Sequence, residues 1–532
     1  MTINRPGILI LFLVLAGMAV YANCLGNEMF WDDEAFIINN RFIQDWHYWP
    51  RFFTDNLGAG AYATCDYWRP LLQGVFAVEW HLWQTFQPGW HLVSVFLHIA
   101  DAALVFLLIS RLFTSAIPAF LAALIFLVHP LQTETVVYAN SQGDSLALLF
   151  ILLGLYALIR YRAGNGRRNF HFAVLCFPLA LMSKEIGIIM PAFVLLGDLY
   201  CNASLSVGKR ALRAFRLTLP FLLIAIAYAC MRAVYFHFDD VGRYYLEWPD
   251  FQSSALVRAF TFFRLVPDYA GLVLWPADLQ FDRACSIAGG QMTPMIALGG
   301  MILAGMAVAV SQLYRRAPAF SFGAAWTLIA IFPYSNIPRI INALFYEHYL
   351  YIPLIGIGIM AGALFSHVFY RDGRVARIPA VLFVCVIFLL GARTMLRNAD
   401  WRTAIRFYEK TSVRAPMNYR LFVNLGRAYA AKGLYEKAEK AFVRALSISP
   451  GSPAAWHNLG LIARAQGLRD KAVFCFEKAI SVKRDYFYSY NALAEVYDQS
   501  GDRVRLRHVL ERSLPYSREP AWTKSWLESL KP

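Results

Sequence analysis

Along most of this chain apolar residues run in long stretches and do not alternate with polar ones. Such stretches lie near 7–25, 90–111, 116–131, 143–161, 170–183, 185–200, 216–236, 293–313, 318–334, 343–368 and 377–395. A helix needs about 20 apolar residues to cross a bilayer core, so the pattern predicts eleven spans. Some are short or broken by Pro178, Pro191 or Pro333. The first run follows Arg5, and no small-residue cleavage site closes it, so it is read as a span and not as a signal peptide. A twelfth segment, 256–275, contains Arg258, Arg264, Pro267 and Asp268. It is expected to be interfacial or re-entrant.

After residue 396 the pattern becomes amphipathic and repeats every 34 residues. Leu425, Leu459 and Leu493 mark the period, as do Gly426, Gly460 and Ala494, and Gly433, Gly467 and Gly501. Ala438 and Ala472 are followed by Leu506, Phe442 and Phe476 by Leu510, and Pro416 and Pro450 close successive units. This resembles the tetratricopeptide repeat, in which small residues sit where paired helices touch. About three units and an upstream half-unit (Trp401, Ala404, Tyr408) are expected. Two domains follow: a membrane domain over 1–396 and a helical repeat solenoid over 397–532.

Composition agrees with an all-α polytopic membrane protein. Of 532 residues 58% are hydrophobic and only 16% charged, against about 25% charged in soluble domains. Disorder, collagen and a small disulfide scaffold are excluded. The net charge is +15, and residues 400–532 carry 23 Lys and Arg against 13 Asp and Glu. No nucleic-acid motif accompanies that charge, so lipid headgroups and topogenic arginines account for it better. Eight cysteines include no CxxC. Cys24 and Cys65 flank one loop, and both a disulfide and two free thiols are compatible with that.

Basic clusters orient the spans. Arg111, then Arg160, Arg162, Arg167 and Arg168, then Lys209, Arg210, Arg213 and Arg216, then Arg315 and Arg316, then Arg371, Arg374 and Arg377 all fall inside if the N-terminus is cytoplasmic. The outside loops are then 26–89, 132–142, the turn at 184, 237–292, 335–347 and everything after 396, the repeats included. A bacterial inner membrane is the expected location.

Ionisable residues collect on that outer side. Asp32, Asp33 and Glu34 follow the first span, and crowding of like charges raises the pKa of at least one, which suits a general base. A solvated acidic turn is the plain alternative. Glu134 and Asp144 lie in the second outside loop, Lys184 and Glu185 in the third turn, and Arg339, Glu347 and His348 in the fifth. Arg69 stands in DYWRPL, within a loop whose Trp46, Tyr48, Trp49, Phe52 and Phe53 suit an interfacial belt. Arg69, Lys184, Arg339 and His348 are candidate phosphate contacts, with Glu185 and Glu347 in support. Asp101 in the second span is a separate intramembrane acid, for which His98 is a candidate partner.

The ordered series WDDE, WRPL, His91 and His98, HPLQTETV, GDSLA, SKE, YSNIP and EHYLYIP, followed by the repeats, resembles the transmembrane and tetratricopeptide-repeat O-mannosyltransferases and their bacterial relatives. These are GT-C fold glycosyltransferases. The resemblance implies a polyprenyl-phosphate sugar donor, mannose in the eukaryotic members, and an acceptor protein hydroxyl or glycan that the repeats present. It assigns catalysis to Asp32 and Asp33 and an auxiliary role to Asp144. Gln142 and Gly143 depart from the Arg-Ala that the family usually places before that acid, and His348 stands where the family has Arg. The resemblance fixes no cofactor, and a divalent cation held by the adjacent Asp32 and Asp33 stays an open alternative. A lipid-linked glycan polymerase or ligase, and a non-catalytic repeat scaffold, are the rival readings.

Overall fold

The computed structural model describes residues 6–63, 65–201, 207–236, 248–281, 283, 285–341, 343–371, 374–375, 377–517 and 520–530. Part of the expected outside loop 237–292, namely 237–247, 282 and 284, lies outside the described residues. The chain forms two compact units, Met1–Arg402 and Thr403–Pro532. The division falls a few residues beyond 396, because the last apolar helix continues to Asp400.

The architecture is all-α. Among the described residues the one strand pairing is a short antiparallel ribbon, Tyr370–Arg371 with Arg374–Val375. Each apolar run contains a helix. Among the described residues, six helical segments are long and apolar enough to cross a membrane: Pro6–Cys24, Gln87–Phe113, Ala139–Arg162, Gly208–Val234, Pro294–Gln312 and Arg377–Asp400. A seventh candidate is the pair Ala116–Val128 and Pro130–Val137, bent by 53°. The bend has a local cause: Pro130 drives the preceding residue out of the helical region, and His129 stands at φ −72, ψ 133.

Other helices are shorter. Arg167–Ser183 and Pro353–Phe369 have 17 residues, Pro318–Ile331 has 14 and Met190–Cys201 has 12. The latter two are lengthened by 3-10 turns at Phe332–Ser335 and Glu185–Ile189. The run 343–368 is α-helical only from Pro353; before it come a 3-10 turn at Glu347–Leu350 and the buried Tyr351 and Ile352. Segment 256–275 is not among the helices long and apolar enough to cross a membrane. It is one continuous helix, Ala255–Leu274, that holds Pro267 internally and buries Phe262, Leu265, Val266, Tyr269 and Leu272.

Close helix contacts fall where side chains are absent, as in other membrane bundles. A Cβ on Gly356 would lie 2.3 Å from the Gly323 carbonyl, and one on Gly362 would lie 2.5 Å from the Pro118 carbonyl. Pro353–Phe369 is thus gripped from two sides. Within the bundle, Asp101 and His98 do not pair directly. The Tyr351 hydroxyl lies between them, donating to Asp101 at 2.8 Å and standing 2.9 Å from His98 Nδ1. Ser145 donates to the same hydroxyl.

The second unit is three helix pairs: Tyr419–Ala431 with Tyr435–Ile448, Pro453–Ala465 with Arg469–Val482, and Phe487–Gln499 with Arg503–Ser513. Ala404–Arg414 precedes them and Pro520–Ser529 follows. One turn recurs in each pair: Gly433, Gly467 and Gly501 stand at φ 73, 77 and 71, left-handed positions that end a helix and favour glycine.

Candidate active site

The acid turn comes first. The helix Pro6–Tyr21 ends in a 3-10 turn at Ala22–Cys24, and the chain then reaches Trp31 at φ 63. Asp32 and Glu34 are half-buried. Asp33 is 2% exposed, and its Oδ1 accepts the backbone N–H of Asn140 at 2.8 Å. The Asp32 N–H donates to Tyr138 Oη at 3.0 Å. Burial pushes the Asp33 carboxyl well above the usual carboxylate range, against the Asn140 hydrogen bond. Repulsion from Asp32 and Glu34 adds to the rise but is the lesser contribution. The sequence pointed to repulsion; the fold supplies burial.

A bed of paired charges follows. Arg69 donates through Nε and Nη2 to Glu185 Oε2 at 3.0 and 2.8 Å. Lys184 Nζ lies 2.5 Å from Asp144 Oδ2. Asp66 holds Arg232 at 3.0 Å and Arg339 at 2.8 Å. Among these side chains Arg339 is the open one, 63% exposed. Burial would lower Arg69, but Glu185 and Tyr67 overcome it and raise its pKa. Glu185 is held below its ordinary value by Arg69 in spite of burial. Burial pulls Lys184 down despite Asp144, and the Arg69 charge acts the same way. These groups therefore share one neighbourhood.

Tyr67 joins the turn to that bed. The Arg69 guanidinium lies 4.2 Å from the Tyr67 ring centre. The phenol is raised mainly by burial, opposed by Arg69 and reinforced by Asp32 and Glu185. One side chain thus feels the first acid and the arginine pair together.

The remaining candidates have other partners. His348 Nδ1 lies 2.6 Å from Glu134 Oε1, and the His348 N–H donates to Glu134 Oε2. Glu347 turns to Arg397 at 3.4 Å and takes the Gln280 N–H; burial pushes it up to about 7 against Arg397. Gln142 donates to Glu79 Oε2 at 3.1 Å. A glutamine gives Glu79 no charge to pair with, and burial pushes that carboxyl up to about 8.

Asp66, Tyr67, Glu79, Arg232 and Arg397 were not singled out from the sequence. Arg232 and Arg397 left a signal, since each is an arginine within an apolar helix, where charge is costly. The second outside loop is not an exposed loop: residues 129–145 are buried throughout. Among the described residues no group of three or more His, Cys, Asp or Glu is arranged to hold a metal. Asp32 and Asp33 alone do not make a ligand set. Cys24 and Cys65 are free thiols.

A tetratricopeptide-repeat family model matches residues 419–485. The chain is similar to Protein O-mannosyl-transferase F38B6.6 of Caenorhabditis elegans, 24% identical over 459 residues, 83% of this chain and 63% of that protein. It is similar to Protein O-mannosyl-transferase TMTC4 of Homo sapiens, 24% identical over 484 residues, 79% of this chain and 64% of that protein. The chain therefore spans less than two thirds of the length of these curated relatives. Among solved structures, ArnT from Cupriavidus metallidurans bound to undecaprenyl phosphate aligns with a TM-score of 0.42 and 15% identity, over 89% of this chain and 80% of that one.

Proposed function

We propose that this chain is a membrane glycosyltransferase of the GT-C kind, moving a sugar from a polyprenyl-phosphate carrier to a hydroxyl outside the cytoplasm. Mannose is the proposed sugar and a protein Ser or Thr the proposed acceptor, as the names of the relatives suggest. The carrying observation is Tyr67, whose ring lies 4.2 Å from the Arg69 guanidinium and whose phenol is within electrostatic reach of Asp32 and Glu185. This supports a reading in which an acid that accepts a proton and cations that receive a phosphate act on the same reacting groups.

Roles follow from exposure. Asp32 is half-buried, whereas Asp33 is sealed and bonded to Asn140. Asp32 takes the hydroxyl proton as the oxygen attacks the anomeric carbon. The bond from that carbon to the phosphate oxygen breaks, the lipid phosphate leaves, and the configuration inverts. Fixed cations stabilise the charge on the leaving phosphate. Arg339, the exposed member, exchanges Asp66 for the phosphate, while Arg69 and Lys184 stay paired with Glu185 and Asp144 and Arg232 remains on Asp66. The eleven apolar helices are proposed to cross a bacterial inner membrane, which puts the acid turn and the repeats outside. The repeats are proposed to present the acceptor.

The test uses the full chain in lipid nanodiscs with a synthetic polyprenyl-phosphate mannose and a Ser/Thr-rich peptide. Asp32→Asn is expected to fold and to lose transfer, and the wild-type product is expected to carry the anomeric configuration opposite to that of the donor. Full transfer by Asp32→Asn would sink the assignment.

A further inference from the structure

The acid turn is held by a residue far from it in sequence. Trp31, just before the turn, adopts a left-handed φ of 63. A bulky side chain takes that conformation only where its surroundings impose it. Those surroundings are aromatic. The Trp31 ring meets Phe281 edge-on at 5.1 Å, and Phe281 meets Trp401 at 5.5 Å. Phe30 stacks on Trp401 at 5.9 Å. Trp401 also packs on Tyr138 at 5.7 Å, and the Tyr138 hydroxyl takes the Asp32 N–H.

Trp401 is itself fixed. It is 2% exposed and follows directly on the helix Arg377–Asp400. The Arg402 carbonyl accepts the Glu28 N–H at 3.1 Å. The Asn398 carbonyl accepts from the Asn27 amide, and the Asn398 amide donates to Asn23 and to the Val20 carbonyl, each at 3.0 Å. The end of the last long helix is thus stapled to the strand of chain leading into the turn, and its indole fills the space between Phe30 and Tyr138.

We propose that Trp401 is a positioning residue for the reaction: acting through Phe30 and Tyr138, it sets the conformation of the Asp32–Asp33 turn. The proposal rests on the reading of that turn as the acid site. Without the indole, Tyr138 loses the ring behind it and the Asp32 N–H loses its fixed acceptor. Asn140, two residues from Tyr138, then no longer closes over Asp33, and water reaches that carboxyl.

The test needs no sugar donor. The full chain in nanodiscs is treated with a water-soluble carbodiimide and an amine, and labelling at Asp33 and Asp144 is read by mass spectrometry. Asp144 is the internal control, a buried carboxylate held by Lys184. Trp401→Ala and Tyr138→Phe are expected to raise the Asp33-to-Asp144 ratio by on the order of tenfold, the scale set by losing one buried hydrogen bond or the packing behind it. Trp401→Phe, which keeps a ring, is expected to restore the wild-type ratio. An unchanged ratio in Trp401→Ala and Tyr138→Phe overturns the proposal. A parallel rise at both carboxylates does so too, since that reports general loosening. Should Trp401→Ala not fold, Trp401→Leu, which keeps apolar bulk but removes the ring, takes its place beside Tyr138→Phe, and an unchanged ratio in it overturns the proposal. The base assignment fails separately, through retained transfer by Asp32→Asn.

Discussion

Lys184 Nζ and Asp144 Oδ2 meet at 2.5 Å, 40 residues apart in sequence, with side chains 13% and 1% exposed. Gly143 makes room for this contact: a Cβ there would lie 3.2 Å from the Ser183 carbonyl and 3.7 Å from the Lys184 chain. Removing one partner of a buried pair leaves a charge with neither water nor counter-ion, a cost of about 3–5 kcal/mol. Lys184→Met is therefore expected to lower the unfolding temperature in detergent sharply. The double variant Lys184→Met with Asp144→Asn is expected to recover most of the loss. Equal stability of the single variant and the wild type would show that the pair carries no such cost.

Glu79 makes stability depend on pH. Its carboxyl is raised from 4.5 to about 8 in the fold, so folding favours the protonated form. The resulting stabilisation is fully present below about 4.5 and is lost as pH rises through about 8. Glu79→Gln is expected to flatten the unfolding-temperature profile across that window. Gln142→Arg, which offers the carboxylate a charge, is expected to weaken the decline as well. Thermal unfolding from pH 4.5 to 8.5 checks both.

Arg339 separates binding from stability. Its ion pair with Asp66 is exposed on the arginine side, and exposed pairs contribute at most about 1 kcal/mol. Arg339→Ala should leave the unfolding temperature nearly unchanged. If the guanidinium receives the donor phosphate, losing one charge-assisted hydrogen bond raises the donor KM by about tenfold. A donor KM equal to the wild type's would move the phosphate site elsewhere.

The repeats carry an independent packing prediction. A Cβ on Gly460 would lie 2.5 Å from the Phe476 ring, and Gly426 stands in the same relation to Phe442. Both rings are fully buried, so they have nowhere to move. Gly460→Ala should cost about 1–3 kcal/mol by overpacking, visible as earlier proteolysis within 453–482. Unchanged protease resistance would mean that the helix pair opens at little cost.

Much of this was legible before any coordinates. Helix formation depends on residues three and four apart, and burial of a helix on its own hydropathy, so the apolar runs and the 34-residue period mark the elements they become. The concentration of Asp32, Asp33, Asp144, Lys184 and Glu185 at one set of helix ends was visible for the same reason. The partners were not. Arg69 with Glu185, Asp66 with Arg232 and Arg339, and Trp401 behind Tyr138 join positions 116, 166, 273 and 263 residues apart. A charge or a ring finds its neighbour according to which helix ends the packing brings together, and no local pattern encodes that choice. The same holds for Asp33: repulsion among three adjacent acids is written in the chain, whereas the burial that outweighs it exists only once the segment around Asn140 has closed over the turn.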